Sequence, residues 1–387
     1  MTLESLIAAA QEHGASDLHL EPGLPAAVRV RGALRTLGEP LPPKQLMEIA
    51  RDLIPADQWN HFLERRSHDT SRTIHGVRCR VNVLQTSRGI GFAIRLLASF
   101  QATLEKLNLL PDLRKFLAHT NGLIIVTGST GSGKSSTLAA LIHDVNVSEA
   151  RHIVTIESPI EYIYRPRLAY IRQREVGRDT PSYEQGLLDA LREDPDVLMI
   201  GEMREPETMR LTLNASETGH LVLTTLHSAS CAEALARVVN AFPAEMQNSV
   251  RAQLADCLLA VVCQRLRYRA DLKIRVPECE IMVNTMAVKN FIRTGDFFKI
   301  ISAMETGAEH GMWSFARYQN WLENKKNWYL PAAEDKPDAE PAQPAAALPA
   351  PVAPRPPSTK QPRENRRIEI EPVEGGLGEV LKTFEED

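Results

Sequence analysis

The sequence predicts an α/β fold, on three observations. The segment "IIVTGSTGSGKSST", residues 124 to 137, runs four apolar β-formers into a glycine-rich turn, a lysine and two serines. Short apolar runs at 123–127, 152–156, 197–201 and 221–226 alternate with helical segments, the pattern of a parallel sheet with crossover helices. Upstream, residues 1 to about 105 combine one helical stretch with runs that alternate apolar and polar residues, the pattern of a second, smaller α/β domain.

Bulk properties bound the rest. The chain has 387 residues and is 43% hydrophobic, enough for two or three domains at roughly 100–200 residues each. A net charge of −4 with mixed signs does not mark a dedicated nucleic-acid binder. Cys79, Cys231, Cys257, Cys263 and Cys279 are scattered, with no C-x-x-C pair, which argues against a structural zinc site. An odd number of cysteines without a secretory signal reads as a reducing, cytoplasmic protein. The opening "MTLESLIAAAQEHGASD" lacks the basic and apolar regions of a signal peptide. The longest apolar run, around "CLLAVVC", falls far short of the ~18–20 residues of a membrane span. A role at a membrane would require another protein to hold this one there.

In chain order, "LESLIAAAQEHG" has helical spacing and ends at Gly14, a plausible C-cap. "AAVRVRGALRTL" alternates as a half-buried strand, a helical patch covers roughly 43 to 65, and "TIHGVRCRVNVLQTSRGIGFAIRLL" holds adjacent antiparallel strands broken at "SRG". Residues 106 to about 330 carry the alternating strands and helices. From Pro331 the composition changes: "PAAEDKPDAEPAQPAAALPAPVAPRPPSTKQP" is more than half proline and alanine, and reads as an extended, disordered linker. After it, Leu377, Val380, Leu381 and Phe384 fall near helical spacing, which fits a short docking helix and fits a frayed tail equally well. The expected domains are therefore 1–105, 106–330 and a tail over 331–387.

Gly128, Gly133, Lys134 and Ser135 complete the pattern G-x-x-x-x-G-K-[ST], with Ser129, Thr130, Gly131, Ser132 and Ser136 completing the loop. Its glycines let backbone N–H groups turn inward around phosphates, and the following helix aims its positive end at the same anion. Lys134 should reach the β/γ oxygens of a nucleoside triphosphate and Ser135 should ligate Mg²⁺. "DPDVLMIGEMREPETMR" places Glu202 after a buried strand, where an acid enters the Mg²⁺ shell. Glu157 and Glu161 flank Ser158-Pro159, and either could position or deprotonate an attacking water. His220 and His227 bracket the apolar run 221–226, and a histidine at a strand end can contact a γ-phosphate; their spacing does not suggest a metal pair. Arg80 and Arg95 lie on strands of the first domain, where surface ion pairs are usual. They gain meaning if that domain faces a neighbour's nucleotide.

Together the blocks "GASDLHLEPG", "GSTGSGKSS", "TIESPIEY", "DPDVLMIGEMRE" and "ASETGHLVLTTLHSAS" resemble, in order, those of the secretion ATPases of type IV pili and type II secretion, over about residues 10 to 325. The early position of "ASDLHL", the absence of a four-cysteine insertion and "AVKNFIR" at 287–293 resemble the pilus-retraction branch. The resemblance implies a PAS-like N-terminal domain followed by a RecA-like P-loop ATPase domain. It implies a homo-hexamer whose closing sites act on an inner-membrane platform protein, with the ATPase cytoplasmic and peripheral to the membrane and no direct nucleic-acid partner. By residue, it implies Glu161 as the water-activating carboxylate, Glu202 as the acid beside Mg²⁺, His220 and His227 near the γ-phosphate, and Arg80 and Arg95 as arginines offered in trans. Three departures stand against the pattern: Ser158 replaces an aspartate, "AVKNFIR" is not a literal match, and the Pro/Ala-rich tail is unusual. An assembly or secretion ATPase, including a type IV secretion ATPase, and an accessory retraction paralogue are the alternatives within the class. Outside it, a regulatory nucleotide-binding module would lack this coherent set of acids and histidines, and a nucleic-acid translocase would favour a basic pore.

Overall fold

The computed structural model describes residues 2–30, 33–97 and 102–330, all within one compact unit. The expected linker and terminal helix lie outside the described residues.

The first sheet is antiparallel. Helix α1 (Leu3–Glu12) starts on Thr2, whose hydroxyl accepts from the Ser5 N–H, and is followed by Gly14 at φ 63°. Strands β1 (Asp17–Leu20), β2 (Ala26–Val30) and β3 (Ala33–Leu37) precede helices α2 (Pro43–Leu53) and α3 (Trp59–Arg65). Strands β4 (Ser67–Ile74), β5 (Val77–Thr86) and β6 (Gly89–Leu96) complete the sheet in the order β3-β2-β1-β6-β5-β4. Ile7, Leu46 and Phe62 of the helices join Val28, Val81 and Phe92 of the strands in one core. On β5, Val77, Cys79, Val81 and Val83 are buried while Arg78 and Arg80 stand on the opposite face. The segment expected as one strand at 26–37 is a hairpin of two, pairing Val30 with Ala33.

The second sheet carries the phosphate loop. Strand β7 (Gly122–Thr127) leads into α4 (Lys134–Ser148), followed by β8 (His152–Glu157), β9 (Tyr170–Glu175) and α5 (Tyr183–Ala190). Then come β10 (Val197–Ile200), α6 (Pro206–Glu217), β11 (Leu221–Leu226), α7 (Cys231–Asn240) and α8 (Ala244–Cys257). The strand order is β13-β12-β7-β11-β10-β8-β9, where β12 (Leu258–Arg269) runs parallel to β7 and β13 (Ile274–Val283) antiparallel to β12. Helices α9 (Met286–Thr294), α10 (Lys299–Thr306) and α11 (Phe315–Asn324) follow. Strands β7, β10 and β11 are buried at every residue because helices cover both faces, so they read as continuous apolar runs. Leu123 and Ile125 of β7 enter one core, and Ile124 and Val126 enter the core on the other face.

Candidate active site

The C-terminal ends of β7, β8, β10 and β11 converge, which is where open parallel sheets hold ligands. β7 ends in the loop Gly128–Gly133. Gly128, Gly131 and Gly133 have φ of 147°, 78° and 89°, so three positions of the loop hold a left-handed or mirror-image backbone. At Gly128 a Cβ would also stand 2.2 Å from the Gln264 carbonyl oxygen. Ser132 is buried and its Oγ has no partner, while Ser135 on the first turn of α4 is exposed.

Lys134 is buried, and its Nζ donates to the carbonyls of Gly128 and Ser129 at 3.0 Å each. Burial lowers its pKa from the ordinary lysine value, opposed by the charges of Glu202 and Glu161. Its third contact is Nδ1 of His227, at 3.4 Å. The other ring nitrogen of His227, Nε2, lies 3.0 Å from Oε1 of Glu202, and Arg204 Nε approaches the same oxygen at 2.7 Å. Burial and then Lys134 lower the pKa of His227 below its usual 6.5. A neutral ring that accepts from Lys134 at Nδ1 and donates to Glu202 at Nε2 satisfies both contacts.

Glu161 is partly exposed at the mouth of the site, with Arg80 Nη1 4.0 Å from its Oε1. Arg80 also donates to Asp69, at 2.6 Å. Glu157, by contrast, is buried at the end of β8, where its Oε1 accepts from Thr155 Oγ1 at 2.8 Å and Gln173 Nε2 at 3.1 Å. Burial pushes its pKa up to about 7, against those hydrogen bonds. The charge of Glu161 acts on Lys134, whereas Glu157 shares Gln173 with the turn that carries Glu161.

One expectation needs correcting. His220 lies at the N-terminal end of β11 and makes a 3.0 Å contact with the Ala215 carbonyl. The six residues of β11 separate it from His227 by about 20 Å at ~3.3 Å per residue, so the two histidines do not share a phosphate. Within its own chain Arg80, expected to serve a neighbour, stands 4.0 Å from Glu161. Arg95 sits beside it across the β5/β6 ladder and pairs with Asp17 at 3.0 Å, with its side chain largely exposed.

The sequence reading missed Gln264. From the middle of β12 its Nε2 donates to the Ser132 carbonyl at 2.6 Å, and its Oε1 accepts from Thr137 Oγ1 at 2.7 Å. It therefore braces both the loop and the first turns of α4. No local signal marks it, because its partners lie more than 120 residues away in sequence. Arg204 and Tyr162 were missed as well. The Tyr162 hydroxyl meets Ser136 Oγ at 2.7 Å, tying the Glu161 turn to α4.

The chain is 42% identical over 81% of its length to "Type IV pilus retractation ATPase PilT" of Pseudomonas aeruginosa, covering 91% of that protein. It is 41% identical over 83% of its length to "Uncharacterized protein YggR" of Escherichia coli K12, covering 98% of it. Among solved structures, that of the pilus retraction motor PilT with bound ADP superposes with a TM-score of 0.76 at 35% identity, over 87% of this chain and 96% of that one. The Legionella pneumophila ATPase DotB superposes with a TM-score of 0.70 at 26% identity, over 84% of this chain and 97% of that one. The family model described as type II/IV secretion system protein matches residues 1–309. The chain belongs to the type II/IV secretion system protein family.

Proposed function

We propose that the protein is a motor ATPase that couples ATP hydrolysis to pilus retraction, working as a homo-hexamer on an inner-membrane platform protein. The observation that carries this reading is the convergence of Lys134, His227, Glu202 and Glu161 at one end of the parallel sheet, in a chain so similar to a pilus retraction ATPase. We read residues 1–105 as a PAS-like domain, 106–330 as a RecA-like ATPase domain, and the protein as cytoplasmic and peripheral to the membrane. Among the described residues, no helix is long and apolar enough to cross a membrane.

The residues fit the phosphates of a nucleotide. The loop supplies turned backbone and the unpartnered Ser132 hydroxyl, and Lys134 is held by weak carbonyl acceptors that a phosphate would replace. Ser135 and Glu202 would hold Mg²⁺, which when bound supplies positive charge at the β/γ oxygens. Lys134 would leave its own loop to neutralise the γ-phosphate, and His227 would face the same group as a donor only after its proton moves to Nδ1. Glu161 takes the proton of the attacking water, and Arg80 holds that carboxylate at the mouth. Glu157 supports the turn through Gln173. Ser158, standing where the family pattern has aspartate, adds no second charge beside it.

Pilus number and twitching motility in a Lys134→Ala strain test the function. Surplus surface pili with lost motility is the expected outcome. Loss of pili would make this an assembly motor. Normal pili and motility would favour an accessory paralogue or another secretion system, with Ser158 and the tail as the sequence features behind that reading.

A further inference from the structure

The turn that carries Glu161 is held from two sides, and one of them is the first sheet. From β9, Gln173 donates to the Tyr162 carbonyl at 2.8 Å and accepts from the Tyr164 N–H at 2.9 Å. Two residues on, Oε2 of buried Glu175 accepts from the Ile160 N–H at 3.1 Å. The same oxygen accepts from Ser71 Oγ of β4 at 2.6 Å and lies 3.5 Å from Arg78 Nη2 of β5, with Arg178 at 3.7 Å. Arg78 closes the circle: its Nε and Nη2 donate to the Ile160 carbonyl at 3.1 and 2.8 Å, and Nη2 also meets Ser71 Oγ. Both backbone groups of Ile160 and the carbonyl of Tyr162 are thereby fixed, and Glu161 sits between them.

The strand geometry adds a second link. Arg78 and Arg80 share one face of β5, two residues apart. Arg78 grips the backbone of Ile160, and Arg80 stands 4.0 Å from the carboxylate of the next residue, Glu161. Where the first sheet sits therefore decides both where the turn lies and what its carboxylate meets.

We propose that Arg78, Ser71 and Glu175 form a latch that transmits the position of the first sheet to Glu161. These are positioning residues, since none of them needs to touch the nucleotide. A shift of the sheet that carries Arg78 away would release the Ile160 carbonyl and take Arg80 from the Glu161 carboxylate, so hydrolysis would be licensed only in one placement of the two sheets. The proposal rests on the reading of Glu161 as the water-activating carboxylate.

The test is steady-state ATP hydrolysis and fluorescent-ADP binding with the full chain, for Arg78→Ala, Arg78→Lys, Glu175→Gln, the Arg78→Ala/Glu175→Gln double variant and Glu161→Gln. Misplacing a reacting group by about 1 Å costs up to ~100-fold, so kcat should fall about 10- to 100-fold in each latch variant. KM and ADP affinity should stay within about threefold, because the phosphate loop is untouched. The double variant should lose no more than the worse single one, since both residues serve one device. Lysine should fail to rescue, because it lacks the forked donors that Arg78 places on Ile160. Glu175→Gln is isosteric and guards against a simple folding failure. The latch is overturned by latch variants with near-normal kcat while Glu161→Gln is inactive. It is also overturned by losses that add in the double variant, or by losses that appear in KM and ADP affinity. A Glu161→Gln protein with normal turnover would instead overturn the carboxylate assignment, and the latch's role in hydrolysis with it.

Discussion

Glu157 shows how one buried group can report on the site. Its carboxyl is buried with two hydrogen-bond donors on one oxygen, and its pKa is pushed up to about 7. A carboxyl raised in the folded state keeps its proton there between its unfolded value, near 4.5, and about 7. The folded protein then binds more protons than the unfolded one, so stability falls as pH rises through that window. At roughly 1.4 kcal/mol per pH unit of separation, the loss approaches about 3 kcal/mol above pH 7. Glu157→Gln removes the charge, and its amide oxygen can still accept from Thr155 and Gln173. Urea unfolding of nucleotide-free protein at pH 5, 6, 7 and 8 should show the declining component in the wild type and a flatter profile in Glu157→Gln. Parallel profiles would mean that Glu157 is ionised at no cost and that its burial does not govern its proton. The distinction matters for mechanism, because a carboxyl that is half protonated near neutral pH is a poor partner for Mg²⁺ and leaves that role to Glu202.

At the scale of elements, the phosphate loop depends on a strand that its own motif does not name. Gln264 of β12 holds the Ser132 carbonyl and the Thr137 hydroxyl, and the Gln264 carbonyl oxygen fills the space that a Cβ on Gly128 would need. Gln264→Ala strips two buried groups of their partner, at about 1–3 kcal/mol each. We expect ADP affinity to fall about tenfold in Gln264→Ala and further in Gly128→Ala, read by fluorescent-ADP titration. Unchanged affinity in Gln264→Ala would show that the loop is rigid without β12. This contrast explains what was legible in the sequence. Gly128, Lys134 and Ser135 announce themselves because phosphate binding needs glycine turns and a lysine at fixed local spacing. The strands β7, β10 and β11 are equally plain, since burial on both faces leaves an uninterrupted apolar run. β9 was invisible because "YIRQRE" is an edge strand with charges, and its worth lies in Gln173 and Glu175 reaching the Glu161 turn. His220 misled because proximity in sequence to His227 counts for nothing across a full strand. The Arg78 latch joins residues about 80 to 100 apart in sequence, a register that only the folded sheets define.

For the whole molecule, the informative cut falls just after residue 330. Asn108 secures the last described turn of chain: its Nδ2 donates to the Tyr329 carbonyl and its Oδ1 accepts from the Tyr329 N–H, each at 2.9 Å. Arg269 lies over the Trp328 ring at 4.9 Å from its centroid, and the Trp328 indole N–H donates to the Lys325 carbonyl at 2.8 Å. A chain ending at residue 330 keeps all of these contacts, together with the active-site ends of β7, β8, β10 and β11. Removing 331–387 should therefore leave ATP turnover within about twofold and the melting temperature nearly unchanged, because the contacts that brace the site and the Asn108 and Arg269 anchors all lie before residue 331. The sequence beyond 330 is Pro/Ala-rich and ends in the amphipathic pattern of Leu377, Val380, Leu381 and Phe384. A tethered apolar segment of that kind gains effective concentration at a partner's surface. Its deletion is then expected to alter assembly or localisation in the cell while the purified protein still hydrolyses ATP. Truncated protein that assembles, localises and moves cells normally would end the docking idea. Truncated protein with reduced turnover would instead tie the segment to the active site itself. Extending the cut back past Trp328 separates the cases, since it breaks the Asn108 and Arg269 anchors and should lower the melting temperature whatever the tail does.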